Sequence, residues 1–356
     1  MTTSLDLHRL TAALRRSAVR ATLAPSVHNT QPWHFQLRPN ELSMTADASR
    51  QLRILDPTGR QMTISCGCAL FNARASLAAS GVAVNVERFP DPGRVELVAR
   101  LVAADVPDGS VDPIAALDNV VELRRTNRRR FADDDVPVEL VESLQRAASA
   151  EDSELVEIRR EEDRLAVAIL SQRADAIQNV SAAYRAELRA WTSTELERFD
   201  GVPTWAIPHV DGGARDEVPI RDFDTSGLGA LPIETRSSRN QCLLLLGTRG
   251  DNPLAWLRAG EALERIQLEV TRQGFAVSPM TQVIEVVSTR AELRHQLRLA
   301  MAPQVLLRVG RAANTPATRR RRLVDVLSES SPDSGLGSVH GRGPEFVARF
   351  PGRSET

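Results

Sequence analysis

Two stretches of the chain carry the same pattern of apolar and polar positions, an amphipathic helix followed by a strand. Residues 66–84 read CGCALFNARASLAASGVAV and residues 259–277 read AGEALERIQLEVTRQGFAV, and the two align without a gap. Gly67 falls on Gly260, and the glycines that end the two helices also coincide. Apolar positions recur at helical spacing, the final glycine suits a left-handed C-cap, and the β-branched residues beyond it predict a strand.

The shared pattern predicts an internal duplication. Two Ala-rich amphipathic helices can resemble each other by chance, but here glycines match at both ends of the helix. Each copy also continues into a second β-rich run, at 95–102 and at 305–309. The sequence therefore predicts an α+β fold made of two fused α/β halves.

The segments outside the repeats complete the predicted organisation. A long helical stretch is predicted at 161–191, whereas 200–234 is rich in Gly, Pro and Asp and has no period. Long irregular loops inside compact domains are often functional, so 200–234 is predicted to be a lid. We place the first half at 1–110, the second at 118–327, and a flexible, Ser/Gly/Pro-rich C-terminal tail at 328–356.

The composition is that of a globular protein, with 42% hydrophobic and 26% charged residues in a chain of 356. No long apolar stretch or secretory signal is recognisable, so we expect no membrane partner and a cytoplasmic location. All 45 basic residues are arginines, which excludes Schiff-base chemistry and a P-loop lysine. The net charge of −1 gives no general attraction to nucleic acid, and the three cysteines predict neither a disulfide framework nor a metal site.

A polar segment, APSVHNTQPWHF at 24–35, follows the first predicted helix. Pro25 ends that helix and a strand resumes soon after, so Ser26, Asn29 and Gln31 are displayed in a constrained turn. Their donors and acceptors suit a flat heteroaromatic ring whose edge alternates carbonyl groups and ring nitrogens. A well-capped loop whose aromatic residues enter the core would explain the same residues, and the segment alone does not decide between the two.

Two arginine clusters have the chemistry to hold an anion. Segment 124–131 reads RRTNRRRF, and 319–322 is a run of four arginines placed after the last predicted strand. Guanidinium groups beside hydroxyl and amide donors suit a phosphate. A solvated basic surface or a nucleic-acid contact accounts equally well for either cluster taken alone.

Taken together, these segments resemble the nitroreductase family. PSVHNTQPWHF is similar to the family's flavin-contacting PSxxNxQPW segment, and RTNRRRF at 125–131 is similar to its motif for the flavin phosphate and ribityl chain. The run at 256–282 resembles the family's central helix and the loop that passes beside the flavin N5. The resemblance extends over most of residues 10–325.

The resemblance implies one site shared between the two halves. Family members are homodimers with each flavin at the interface, its ring held by one subunit and its phosphate by the other. Here the first half has the PSxxNxQPW loop without the arginine motif, whereas the second half has the motif but reads AASAEDS at 147–153 where its own loop should stand. This complementary loss resembles the single-chain, Acg-type branch, and it implies a nitroreductase-like intramolecular pseudo-dimer that is a monomer in solution.

Cofactor contacts follow from the resemblance residue by residue. The first half would line the flavin ring, the second would hold the phosphate, and the loop after the central helix would present backbone groups near N5. The implied contacts are Pro25, Ser26, Val27, Asn29 and Gln31 at the ring, Arg125, Thr126, Asn127 and Arg129 with Arg320 or Arg321 at the ribityl phosphate, and Pro279, Met280, Thr281 and Gln282 beside N5.

One departure from the family pattern and two pairs of further residues complete the description of the implied site. Many members carry Glu-Gly where this chain has Thr281-Gln282, which bears on how a nicotinamide reaches the ring. Trp205 and His209 of the predicted lid would close over the ring. His28 and His34 have no partner at metal-ligand spacing, and we interpret them as structural loop residues.

The implied activity is that of an FMN-dependent oxidoreductase. Hydride from NADH or NADPH would pass through the flavin N5 to a nitroaromatic or quinone-type small molecule, with no metal and no side-chain nucleophile. The alternative from another class is an FMN-binding or sequestering protein whose lid at 200–234 excludes nicotinamide. A nucleic-acid partner is not expected.

Overall fold

The computed structural model describes residues 4–104, 112–195, 197–207, 218, 221–223 and 241–329. The helices are α1 (Ser4–Thr22), α2 (Arg60–Ala79), α3 (Val138–Ser149), α4 (Glu161–Val180), α5 (Ala182–Ala190), α6 (Pro253–Arg272), α7 (Gln282–Glu285) and α8 (Val287–Gln296). The strands are β1 (Trp33–Arg38), β2 (Glu41–Ala46), β3 (Val84–Arg88), β4 (Leu97–Ala103), β5 (Glu154–Glu157), β6 (Thr192–Ser193), β7 (Val202–Pro203), β8 (Cys242–Thr248), β9 (Ala276–Met280), β10 (Ala302–Gly310) and β11 (Leu327–Glu329).

Equivalent elements occur in the same order in the two halves. The first half runs α1-β1-β2-α2-β3-β4 and the second runs α3-β5-β8-α6-β9-β10. Their strands lie in the orders β1-β2-β4-β3 and β5-β8-β10-β9, with every neighbouring pair antiparallel. The predicted α+β class and the two repeated halves are therefore present, and α4 and α5 belong to an insertion between β5 and β8.

Helices α2 and α6 cross at the glycines of the repeat. A Cβ atom added to Gly67 would lie 2.1 Å from the carbonyl oxygen of Leu257, and one added to Gly260 would lie 2.0 Å from that of Ile64. Leu257 occupies the same repeat position as Ile64, so the two contacts are equivalent by the internal symmetry. The small residues of the repeat thus let two helix backbones touch, and α2 is buried over most of its length.

The predicted helix caps and a common core are also present. Gly81 and Gly274 end α2 and α6 with φ angles of 70° and 74°, in the left-handed region that favours glycine. Trp33, Leu263 and Leu307 belong to one hydrophobic cluster that draws on both halves. The halves therefore share a core, and their boundaries at 110 and 118 remain predictions.

Strand β11 corrects two predictions made from the sequence. Residues 327–329 pair in parallel with β1, with Leu327 opposite Phe35, so the arginine run at 319–322 precedes the last strand. Ser328 and Glu329, assigned to the flexible tail, belong to this strand because β1 offers it an edge to pair with. The rest of the predicted tail lies outside the described residues. The chain thus returns from its second half to the sheet of its first.

The predicted helix at 161–191 is two helices joined at Ser181. The Ser181 hydroxyl accepts a hydrogen bond from the backbone N–H of Tyr184 and so caps the second helix. Within the described ranges, no helix has the length and apolarity that crossing a membrane requires.

Candidate functional site

Two adjoining cavities lie where the halves meet. The arginine cavity is lined by Arg124, Arg125, Thr318 and Arg320, among others, and the inner cavity by residues of α2, α6 and the loop after β9. The space in each, including its open mouth, measures about 780 and 770 Å³ respectively. Four residues line both cavities and join them into one site: Pro25, Ser26, Thr126 and Arg128.

The loop at 25–31 brings first-half residues to this site in a strained backbone. His28, Asn29 and Gln31 have φ angles of 46°, 55° and 50°. Such left-handed conformations cost non-glycine residues about 1 kcal/mol or more each, and they persist only where surrounding contacts fix them. This concentration of strain marks the loop as a functional candidate.

Two serine side chains fix the loop. The Ser26 hydroxyl accepts a hydrogen bond from the backbone N–H of Gln31 at 2.9 Å, and the Ser65 hydroxyl of α2 accepts one from Val27 at 3.1 Å. Pro25, Ser26 and Val27, three of the five residues assigned to the ring, consequently line the inner cavity.

The other two assigned residues fix the loop to neighbouring segments. Gln31 reaches neither cavity, because its amide donates to the Phe199 carbonyl at 2.9 Å and accepts from the Arg321 backbone N–H at 2.7 Å. Asn29 lines the arginine cavity, but its amide donates to the Gly201 carbonyl at 2.9 Å. The assignment of Gln31 as a ring contact is corrected to a positioning role.

The arginine segment lies extended beside β9, and its side chains alternate. Thr126 bridges to Val277 in parallel, and the N–H of Asn127 donates to the Val277 carbonyl at 3.0 Å. Alternate side chains of an extended segment point the same way. Arg124, Thr126 and Arg128 therefore line the site, together with Arg125 at the arginine cavity.

The structure brings neither Asn127 nor Arg129 to the cavities. The Asn127 amide donates to the Ala313 carbonyl at 2.8 Å and accepts from the Arg129 backbone N–H at 2.9 Å. The Arg129 guanidinium donates to the Asn314 carbonyl at 3.2 Å. The resemblance assigned Asn127 and Arg129 to the phosphate, whereas their neighbours Thr126 and Arg128 line the cavities. Arg128 was not among the assigned residues, although strand alternation from Thr126 would have indicated it.

Of the two C-terminal arginines, Arg320 lines the arginine cavity. Its guanidinium donates to the Thr318 hydroxyl at 2.7 Å and to the Leu23 carbonyl at 3.2 Å, while its Nε has no hydrogen-bond partner within the described ranges. The Arg321 guanidinium instead donates to the Gln31 carbonyl at 3.3 Å and so stabilises the loop at 25–31.

Arg128 and Arg320 are half-buried cations that form no ion pair with a carboxylate of the described residues. Burial and the nearby Arg221 lower the pKa of Arg128 to about 10, and burial and Arg124 lower that of Arg320 to about 9. Arg124 itself lies 3.4 Å from buried Glu264. Glu264 offsets part of the charge on Arg320. Because the arginine cavity is lined by more guanidinium groups than carboxylates, it suits an anionic ligand.

The end of β9 and the start of α7 form the far wall of the inner cavity. All four residues assigned beside N5, Pro279 to Gln282, line it. The Gln282 amide donates to Asp175 at 2.9 Å, which fixes α7 against α4. Ile64 of α2 and Leu263 of α6 supply apolar walls from the two halves.

The segment predicted to be the lid, 200–234, contributes Phe223 to the inner cavity and not the assigned Trp205. Phe223 is buried and lines the inner cavity, and its ring lies 4.8 Å from the Arg128 guanidinium. Trp205 lines a separate, smaller cavity, and His209 lies outside the described residues. Little in the sequence indicates a role for Phe223, because it is one aromatic residue within an irregular polar segment.

Arg221 anchors this part of the insertion. It forms a buried ion pair with Glu285 and also contacts the Tyr184 hydroxyl, and it approaches the Thr281 hydroxyl at 3.4 Å. Because Tyr184 belongs to α5 and Glu285 to α7, these contacts attach residues 221–223 to both helices.

No metal-binding cluster of three or more His, Cys, Asp or Glu residues is found in the described ranges. Cys66, Cys68 and Cys242 are free thiols, and burial raises the pKa of each. A thiolate nucleophile is therefore disfavoured at neutral pH.

Comparison with known proteins identifies the family. A Mycobacterium tuberculosis H37Rv protein named as a candidate NAD(P)H nitroreductase is 34% identical over 313 residues, which cover 86% of this chain and 88% of the relative. The chain belongs to the nitroreductase family. The M. tuberculosis acg protein, also named as a candidate NAD(P)H nitroreductase, is 29% identical over 330 residues, covering 91% of this chain and 98% of that one. The resemblance to the Acg-type branch is thereby confirmed.

Other comparisons are weaker. No protein-family model matches the chain. An FMN-bound nitroreductase from Bacteroides fragilis superposes with a TM-score of 0.35 at 11% identity, covering 63% of this chain and 98% of that one. NfnB, an FMN- and NADPH-dependent nitroreductase, gives a TM-score of 0.38 at 16% identity, covering 60% and 99%. Structural likeness at this level adds nothing to the sequence relationship.

Proposed function

We propose that the chain binds one FMN across the joined cavities and transfers hydride from NADH or NADPH to a nitroaromatic or quinone-type acceptor. The observation that carries this proposal is the meeting of loop 25–29 from the first half with segment 124–128 from the second at one site. One end of that site is lined by arginines and the other has apolar walls. Because both contributions come from one chain, the proposal requires no second subunit.

The residues fit FMN. A phosphate of about −2 charge would neutralise Arg320 and Arg125 in the arginine cavity. Ile64 and Leu263 offer apolar contact to a planar ring, and Thr126 lies at the junction where a ribityl chain would pass.

A bound flavin supplies the hydride chemistry, and the chain supplies orientation and electrostatics. The Arg128 guanidinium lies at the junction of the cavities, where its charge favours negative charge on the ring. Thr281 and Gln282 form part of one wall of the inner cavity, and the hydrogen bond from the Gln282 amide to Asp175 fixes that wall. Phe223 limits the access of water to the inner cavity from the side of the insertion.

Reduction by a nicotinamide tests this function. We expect NADH or NADPH, mixed anaerobically with the FMN-loaded protein in a stopped-flow instrument, to bleach the flavin absorbance at about 1 per second or faster, as usual enzyme turnover requires. Buffer without nicotinamide is the control for photoreduction. Bleaching by dithionite alone would contradict hydride transfer from nicotinamide.

One observation favours a second candidate, FMN sequestration. Phe223 packs inside the inner cavity with its ring 5.2 Å from that of His28, and the ion pair between Arg221 and Glu285 fixes it there. A segment attached in this way restricts the approach of a second large ligand. FMN sequestration predicts that dithionite bleaches the bound flavin and that NADH and NADPH do not.

A further inference from the structure

His28 is a buried polar side chain whose ring has no hydrogen-bond partner among the described residues. It is 6% exposed, and in the described part of the chain neither Nδ1 nor Nε2 makes a hydrogen bond. The ring lines the inner cavity, with Phe223 packed edge-on against it. A buried hydrogen-bonding group left unsatisfied costs about 1–3 kcal/mol, so such groups call for an explanation, here a ligand that enters the cavity.

The backbone at His28 has a strained conformation, which fixes the position of the ring. Its φ and ψ angles are 46° and 25°, in the left-handed region. On one side the backbone N–H of Val27 is bonded to Ser65, and on the other the Asn29 side chain is bonded to Gly201. Strain that surrounding contacts maintain at a cavity-lining residue is typical of ligand sites.

The charges around His28 keep its ring neutral. Burial and then the guanidinium groups of Arg221 and Arg128 lower the His28 pKa well below its ordinary value. A neutral imidazole carries one N–H donor and one acceptor nitrogen. Ser26, the other polar loop residue that lines the inner cavity, already accepts a hydrogen bond from the Gln31 backbone.

We propose that His28 hydrogen-bonds the polar edge of the planar ligand held in the inner cavity and thereby favours heteroaromatic rings over apolar ones. This inference rests on the proposed function, which makes that ligand the flavin ring. It replaces the interpretation of His28 as a structural loop residue.

The test compares ring binding by three variants of FMN-free protein, with riboflavin as the probe because it lacks the phosphate. We expect His28→Phe to weaken riboflavin binding about tenfold, the worth of one hydrogen bond of about 1.4 kcal/mol. His28→Gln, which keeps a donor and an acceptor, should stay within about threefold of the wild type. His34→Phe is the matched control, because His34 bonds at 3.0 Å to the neighbouring Phe35 carbonyl and lies outside both cavities. Fluorescence quenching gives the Kd, and thermal melting verifies folding.

A measurement on the wild-type protein makes the test independent of variant folding. The imidazole ¹⁵N resonances of His28, assigned by their absence in His28→Gln, should shift when riboflavin is added. Unchanged resonances, or a His28→Phe variant that binds riboflavin as tightly as the wild type, would overturn the role of His28 and leave the proposed function standing. A wild-type protein that binds neither riboflavin nor FMN would contradict the proposed function and, with it, this ligand.

Discussion

A Gly260→Ala variant is expected to lose about 3 kcal/mol or more of its free energy of unfolding. Inside an ordinary helix the same change stabilises by roughly 0.5–1 kcal/mol, so the expected sign is reversed. The new Cβ would lie 2.0 Å from the Ile64 carbonyl oxygen and 2.7 Å from the Gly67 Cα, and neither backbone atom can rotate away. Helices α2 and α6 would have to separate, which opens the shared core and the walls of the inner cavity.

Urea unfolding followed by circular dichroism measures this loss. Gly93→Ala is the control, because its Cβ would meet only the Asp91 side chain at 3.3 Å, and we expect a change within about 0.5 kcal/mol. Combining Gly67→Ala with Gly260→Ala should cost less than the sum of the two, since the first separation makes room for the second methyl. A Gly260→Ala protein as stable as the wild type would show that the helices do not cross at these glycines.

Replacing Arg320 with methionine is expected to weaken FMN binding about 100-fold while leaving riboflavin binding nearly unchanged. The Arg320 side chain is half-buried and lines the arginine cavity, and its Nε has no hydrogen-bond partner among the described residues. Removing one partner of a buried charge pair costs about 2–5 kcal/mol, and only FMN brings the phosphate that would form the pair. The difference between the two ligands therefore isolates the phosphate contact.

Arg322→Met is the matched control for this prediction. It belongs to the same arginine run, but its guanidinium is exposed and pairs with Asp325 at 2.9 Å. Fluorescence titrations with both ligands should match those of the wild type. If Arg320→Met weakened riboflavin and FMN equally, Arg320 would be supporting the fold of the site and the phosphate would be bound elsewhere.

The sequence predicted those features of the fold that depend on local pattern. The helical period around Leu263 and the glycine caps Gly81 and Gly274 are local requirements of a helix and its end, and all are present. The end of α1 before Pro25 is also local, because proline cannot continue a helix, and so is the bond between the Ser26 hydroxyl and the Gln31 backbone N–H. Family resemblance then supplied the expectation of a shared site, which periodicity alone does not contain.

Other features depend on contacts between distant segments, which no single stretch encodes. Gln31 has the chemistry of a ring contact, yet Phe199 and Arg321 satisfy its amide from far along the chain. Choosing between Arg128 and Arg129 required the register that the bridge to Val277 sets. The parallel pairing of β11 with β1 depended on an open sheet edge that only the assembled first half offers.

The stoichiometry of FMN binding tests the central claim most directly, because that claim is one flavin site built from two incomplete halves. FMN-free protein would be titrated with FMN, and the bound flavin would be counted against the concentration of the 39.0 kDa chain. The account predicts one FMN per chain, with the absorbance of an oxidised flavin retained after gel filtration. Two FMN per chain, or a protein that stays colourless after incubation with FMN, would contradict it.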